Sequence, residues 1–266
     1  MRPPMHSPAA TATVFNLYPT QPYDPRRRDT QHDDVLRGVF TRVAEADSAK
    51  VVVFDLDSTL FDNRPRQVQI FREYGLTHHL PELSSLSEHH FLDWDLKAPL
   101  LRAGIDEARA EALFTEVRAF WKARFFTSPY CLYDVALPGA ADFVTALHDT
   151  EATIVYLTGR HEAMREGTHE SLLRFGFPAP GMLRVHLVMK PSLELDDTAF
   201  KAEAHSEVKK IGHVLAAFDN EPAHALGLAR SFPEATVVWL DTDRSKEAMP
   251  RPDLPRTFGF LTDTLR

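Results

Sequence analysis

The chain has 266 residues, 44% hydrophobic and 26% charged, proportions of an ordinary globular protein large enough for one well-buried core and a smaller second unit. Thirty basic against 38 acidic side chains give a formal net charge of −8, which argues against long-range attraction to nucleic acid or an anionic membrane. No stretch approaches the roughly 18 apolar residues of a membrane span, and the single Cys131 excludes an internal disulfide and fits a reducing, cytoplasmic compartment.

Residues 1–30 are broken by prolines, lack the apolar core of a signal peptide and predict an irregular extension, with Arg26, Arg27 and Arg28 as a solvated charge run. Asp33 or Asp34 can then cap a helix whose apolar positions Val35, Leu36, Val39, Phe40 and Val43 recur at helical spacing. The next segment, Val51-Val52-Val53-Phe54-Asp55-Leu56-Asp57-Ser58-Thr59-Leu60, is a short apolar run that stops at two acids. Such a run reads as a buried strand, and the carboxyl end of a strand is where an open α/β sheet places its chemistry. Side chains at i and i+2 of an extended segment share a face, so Asp55 and Asp57 point the same way if the strand continues through them. Like charges that close are unfavourable unless a cation or a reaction intermediate needs them.

Residues 64–133 contain helical patterns and no convincing strand. The clearest helix runs from Asp106 to Phe125, its apolar face of Ala108, Leu113, Phe114, Val117, Phe120, Trp121 and Phe125 reading as core. His78-His79 and His89-His90 lack the i, i+4 spacing of zinc ligands. After Pro138-Gly139 helices and strands alternate. Strands are expected to end at Leu157, before Thr158-Gly159-Arg160; near Val185, before Lys190-Pro191; at Phe218, before Asp219-Asn220-Glu221; and at Leu240. Helices are expected to His148, from Glu162 to Phe175, from Ala199 to Ile211 and from Pro222 to Ser231. Alternation of this kind predicts an α/β fold, a Rossmann-like parallel sheet with helices on both faces.

Four strand ends in this order, D-x-D at Asp55 and Asp57, Thr158, a lysine at Lys190 or Lys201, and Asp219, resemble the haloacid dehalogenase superfamily over residues 51–241. The resemblance implies a catalytic core of residues 31–63 and 134–266 and a helical cap of residues 64–133, the place after the first strand where helical caps enter in that superfamily. It also implies Mg2+-dependent phosphoryl transfer, with Asp55 as nucleophile and metal ligand and Asp57 as general acid/base giving its backbone carbonyl to the metal. Thr158, with Gly159 and Arg160, would meet the phosphate; Lys190 or Lys201 would offset its charge, the setting of Lys201 in Asp-Asp-Thr-Ala-Phe-Lys resembling polynucleotide 3′-phosphatase-like members. Asp219 would be the distal metal ligand. This chain departs from the pattern there, having Asn220 where many members have a second acid, and the Asn220 amide oxygen is the replacement donor. The implied activity is hydrolysis of a small phosphomonoester through an aspartyl-phosphate. A nucleic-acid 3′-phosphatase-like enzyme, a phosphomutase and a non-enzymatic regulatory binding protein on the same scaffold are the alternatives.

Overall fold

A computed structural model of the chain describes residues 24, 27–29, 31–47, 49–245 and 253–263. The expected extension over residues 1–30 falls almost wholly outside them. In chain order the strands are β1 (Lys50–Phe54), β2 (Phe61–Asp62), β3 (Val135–Ala136), β4 (Thr153–His161), β5 (Val185–Lys190), β6 (His213–Asp219), β7 (Thr236–Leu240) and β8 (Arg256–Thr257). The α-helices are α1 (His32–Glu45), α2 (Arg64–Thr77), α3 (Ala98–Arg102), α4 (Glu107–Phe125), α5 (Ala140–Asp149), α6 (Arg165–Arg174), α7 (Asp197–Ile211) and α8 (Pro222–Ser231).

Six strands form one parallel sheet in the order β5-β4-β1-β6-β7-β8, the α/β architecture that the alternation predicts. Strand β1 is central and buried on both faces. Its Val52 and Phe54 pack with Leu36 and Val39 of α1, Phe143 of α5 and Leu172 of α6. Its Val51 and Val53 pack on the opposite face with Phe200 and Val208 of α7 and Leu228 of α8. That alternation is the period-2 pattern of a strand covered on both sides. Phe54 also stacks on Phe218 of β6 at 4.8 Å between ring centroids.

The cap of α1 differs from expectation. Asp33 and Asp34 lie inside the helix, and Asp29 Oδ1 instead accepts the backbone N–H of Gln31 at 3.1 Å and of His32 at 3.0 Å. Asp106 and Asp196 do cap their helices, accepting from the N–H of Arg109 at 3.0 Å and of Ala199 at 2.8 Å.

Between residues 64 and 133 the chain forms only α-helices and 3₁₀ turns. It leaves and re-enters the core through β2 and β3, which pair antiparallel as a two-stranded neck. The insertion has its own apolar cluster, including Phe71, Tyr74, Leu83, Phe91, Leu100 and Val117, separate from the two clusters that flank the sheet. The expected core face of α4 is only partly core: Ala110 and Val117 are buried, Ala108 is exposed, and Trp121 and Phe125 line a cavity over the sheet.

Candidate active site

Asp55 follows the last residue of β1, and its backbone N–H donates to Phe218 O of β6 at 3.0 Å, which holds it in line with the sheet. The chain then turns: Ser58 adopts the left-handed conformation at φ 57°, and its N–H donates to Phe61 O at 2.7 Å. Asp57 therefore sits on a turn rather than an extended strand, yet both carboxylates line the same cavity of about 330 Å³ at the carboxyl edge of the sheet. Adjacent strands that diverge at such an edge make the usual crevice of open α/β folds.

Lys201, buried on α7, joins two of the predicted residues. Its ammonium donates to Asp55 Oδ1 and to Asp219 Oδ2, each at 2.8 Å, and lies 3.2 Å from His224 Nδ1. Burial raises the Asp55 pKa above the ordinary carboxylate value against the pull of Lys201. At Asp219 burial acts the same way, but Lys201 and His224 outweigh it and hold the carboxyl well below the usual range. The Thr59 hydroxyl lies 3.1 Å from Asp55 Oδ2 and 3.2 Å from Asn220 Oδ1, tying the first and last motifs together.

Lys190, the other lysine in question, is elsewhere. It donates to Leu193 O at 3.3 Å and pairs closely with Asp197 Oδ1. Asp197 in turn occupies the space over Gly159, where an added Cβ would stand 2.6 Å from Asp197 Oδ2. Gly159 thus admits a carboxylate held by Lys190. Gly159 and Arg160 line the cavity; Thr158 is fully buried, does not line it, and accepts the Arg160 N–H through its hydroxyl at 3.2 Å.

Asp57 is clamped by charge. Arg160 Nε lies 3.0 Å from its Oδ1 and Arg160 Nη2 2.5 Å, while Asn63 Nδ2 donates to the same oxygen at 2.9 Å. Arg160 Nη2 also reaches Asp134 Oδ2 at 2.7 Å, and Arg66, wholly buried on α2, donates through Nε to Asp134 Oδ1 at 2.8 Å. Two carboxylates thus face two guanidiniums, and the network balances its own charge. Burial would raise the Asp57 pKa, but Arg160 and Arg66 bring it down to about 2.

Sequence reasoning missed Asn63, Asp134 and Asp243. The first two are far apart in the chain and carry no pattern. Asp243 did have a signal, because Leu240 is followed by Asp241-Thr242-Asp243, an apolar run ending in acids at i and i+2, as at Asp55 and Asp57. Asp243 lines the cavity, is 6% exposed, and its Oδ1 has no hydrogen-bond partner among the described residues. Burial pushes its pKa up to about 8.

No three His, Cys, Asp or Glu side chains among the described residues form a ready-made metal cage. Magnesium rarely needs one, since it is commonly held by one or two carboxylates with several waters retained. The residues here fit such a cation: Asp55 and Asp219 are buried carboxylates sharing the ammonium of Lys201, and Asp243, buried and lining the same cavity as Asp55, has a carboxylate oxygen with no hydrogen-bond partner among the described residues.

No protein-family model matches the chain, and no curated protein matches its sequence. Its fold is similar to that of protein tyrosine kinase A from Mycobacterium tuberculosis, at 19% identity and a TM-score of 0.50 over 83% of this chain and 98% of that one. A structure described as a dehalogenase shares 13% identity, with a TM-score of 0.45 over 81% of this chain and 95% of that one. A haloacid dehalogenase-like family hydrolase from Streptococcus pneumoniae also shares 13% identity, at a TM-score of 0.41 over 81% of this chain and 88% of that one. With its central parallel sheet flanked by helices and a helical insertion directly after the first strand, the chain has an α/β, Rossmann-like fold, and its likeness to these structures is one of fold.

Proposed function

We propose that the chain hydrolyses a small phosphomonoester through a phosphoaspartate at Asp55. The observation that carries this reading is the Lys201 ammonium, buried and 2.8 Å from both Asp55 and Asp219 at the sheet edge. A carboxylate so placed is aligned as a nucleophile, and a fixed cation beside it offsets the charge of an arriving phosphate. In the first half-reaction an Asp55 oxygen bonds to phosphorus and the ester oxygen leaves with its electron pair. In the second, water bonds to phosphorus, the phosphorus–oxygen bond to Asp55 breaks, and inorganic phosphate leaves.

Asp57 faces the same cavity and is the group for proton transfer. Its ionised, Arg160-paired form suits taking a proton from water; giving one to an alkoxide requires it to loosen from Arg160. Arg160 and Gly159 line the phosphate side. Asp55, Asp219, the Asn220 amide and the Asp57 backbone carbonyl are the oxygen donors for Mg2+, with Asp243 beside them. When bound, Mg2+ would neutralise part of the phosphate charge.

The small cavity beneath the insertion supports a small substrate over a nucleic-acid end, which needs an open channel. Asp55→Asn keeps the side-chain shape and removes the nucleophile, so turnover of every phosphomonoester should fall to background while the fold persists. Acid-quenched wild-type protein should carry a phosphoryl group on the peptide containing Asp55. Persistent turnover in the variant, or a phosphoryl group on another peptide, would refute the covalent reading.

A further inference from the structure

The insertion side of the cavity carries chemistry that phosphoryl transfer leaves unused. Trp94, Leu96, Trp121, Phe125 and Phe126 line it, with Arg118 beside them. Trp121 stacks on Phe125 at 4.5 Å and 21°, and Phe126 stands edge-on to both rings at 5.3 and 5.2 Å. These rings form a preassembled aromatic wall. Trp94 is 50% exposed, an unusual cost for so large an apolar surface unless something covers it.

Two polar groups of the same wall are free. The Trp121 indole N–H is buried with no hydrogen-bond partner among the described residues. Arg118 is exposed and has no ion pair there. Other arginines near it in the insertion are engaged: Arg66 with Asp134, Arg109 with Glu82 and Arg124 with Glu73. Across the cavity lie Asp55, Lys201 and Arg160. The cavity therefore has a charged floor and an aromatic roof with an unused donor and cation.

Resting on the hydrolase reading, we propose that the leaving group is a planar aromatic ring bearing an acceptor or anionic substituent. The ring stacks on Trp94 and the Trp121 wall, and the substituent meets Arg118. The substrate class is an aromatic phosphomonoester, from either of two sources: a phenolic phosphate or a nucleoside monophosphate. A cavity of about 330 Å³ lies at the small end of ligand sites, which suits one ring system with its phosphate.

Calorimetric titration of the intact protein with hydrolysis-inert phosphonates tests this without turnover. Benzylphosphonate, its saturated cyclohexylmethyl counterpart, a carboxyl-bearing benzylphosphonate, a nucleoside phosphonate and methylphosphonate are the probes. Binding of at least one aromatic probe should exceed that of the saturated ring by about tenfold, the size of an aromatic stacking contribution. Trp94→Ala, at a half-exposed position, and Trp121→Leu, which removes the ring while staying apolar, should erase that preference and leave methylphosphonate unchanged. Arg118→Gln should weaken only the carboxyl-bearing probe. The stronger of the phenolic and nucleoside probes identifies the source. Equal binding of aromatic and saturated rings overturns the inference while leaving hydrolysis standing. Aromatic preference in a protein that turns over no phosphomonoester overturns the hydrolase reading and leaves an aromatic-phosphonate site.

Discussion

Lys201 and Lys190 show how little a residue type says without its neighbours. Both are buried, yet Lys201 separates two carboxylates of the site, whereas Lys190 holds one carboxylate over Gly159. Lys201→Met should reduce kcat on any phosphomonoester by roughly 10²–10³-fold, the scale of removing a preorganised charge, and should destabilise the fold by about 3–5 kcal/mol by leaving two buried carboxylates unpaired. Lys190→Met should leave kcat within about tenfold of wild type; steady-state kinetics beside urea unfolding separates the two lysines. His205, four residues on, offers a pH test. Burial first, then the Lys201 charge, lower its pKa from 6.5 to about 4. The unfolded chain then binds a proton that the folded one refuses, so stability is full above pH 6.5 and falls as pH drops toward 4, by up to about 3 kcal/mol. His205→Gln should flatten urea midpoints across that window.

Among elements, the neck of β2 and β3 and the buried quartet beside it connect the insertion to the catalytic edge. Arg66 lies in the first turn of α2, Asp134 precedes β3, Arg160 is the penultimate residue of β4, and Asp57 lies on the turn after β1. A shift of the insertion must therefore be felt at Asp57. Asp134→Ala should cost about 3–5 kcal/mol in urea unfolding, because two guanidiniums lose a buried partner, and should lower kcat more than it raises KM. The packing of α6 against the returning chain is equally tight. A Cβ on Gly167 would stand 2.2 Å from Ser128 O, so Gly167→Ala should lower the thermal midpoint although alanine favours helix. A midpoint at or above wild type would show that the segment moves aside freely.

For the whole molecule, the balance of buried charge is the quantity to measure. If a divalent cation belongs among Asp55, Asp219 and Asp243, magnesium at about 100 times its Kd should stabilise the native state by ~2.7 kcal/mol, a rise of roughly 5–10 °C for a chain of this size. Chelator should remove the rise, and Asp219→Asn should abolish it. Asp243→Asn should leave the midpoint of metal-free protein at neutral pH nearly unchanged, since burial already keeps that carboxyl largely protonated there, and should shrink the magnesium response. Identical melting curves with magnesium and with chelator would argue against a resident cation. No helix among the described residues is long and apolar enough to cross a membrane.

The sequence by itself determined the sheet and the residues at its carboxyl edge. Burial on both faces demands short β-branched runs, so Val51-Val52-Val53 and Thr153-Ile154-Val155 identify themselves, and abrupt acids after such runs mark Asp55 and Asp219. It also showed that residues 64–133 are helical, because periodicity at 3.6 is local. Only the tertiary structure decided which lysine meets Asp55, that Thr158 is buried outside the cavity lining, and that Asn63, Arg66 and Asp134 gather around Asp57. Those contacts join residues separated by up to 146 positions, and nothing in a local pattern records which side chains the crossovers will bring together. The aromatic wall was legible as an apolar stripe on α4 but read as core, since a helix face shows the same periodicity whether it packs against protein or lines a cavity.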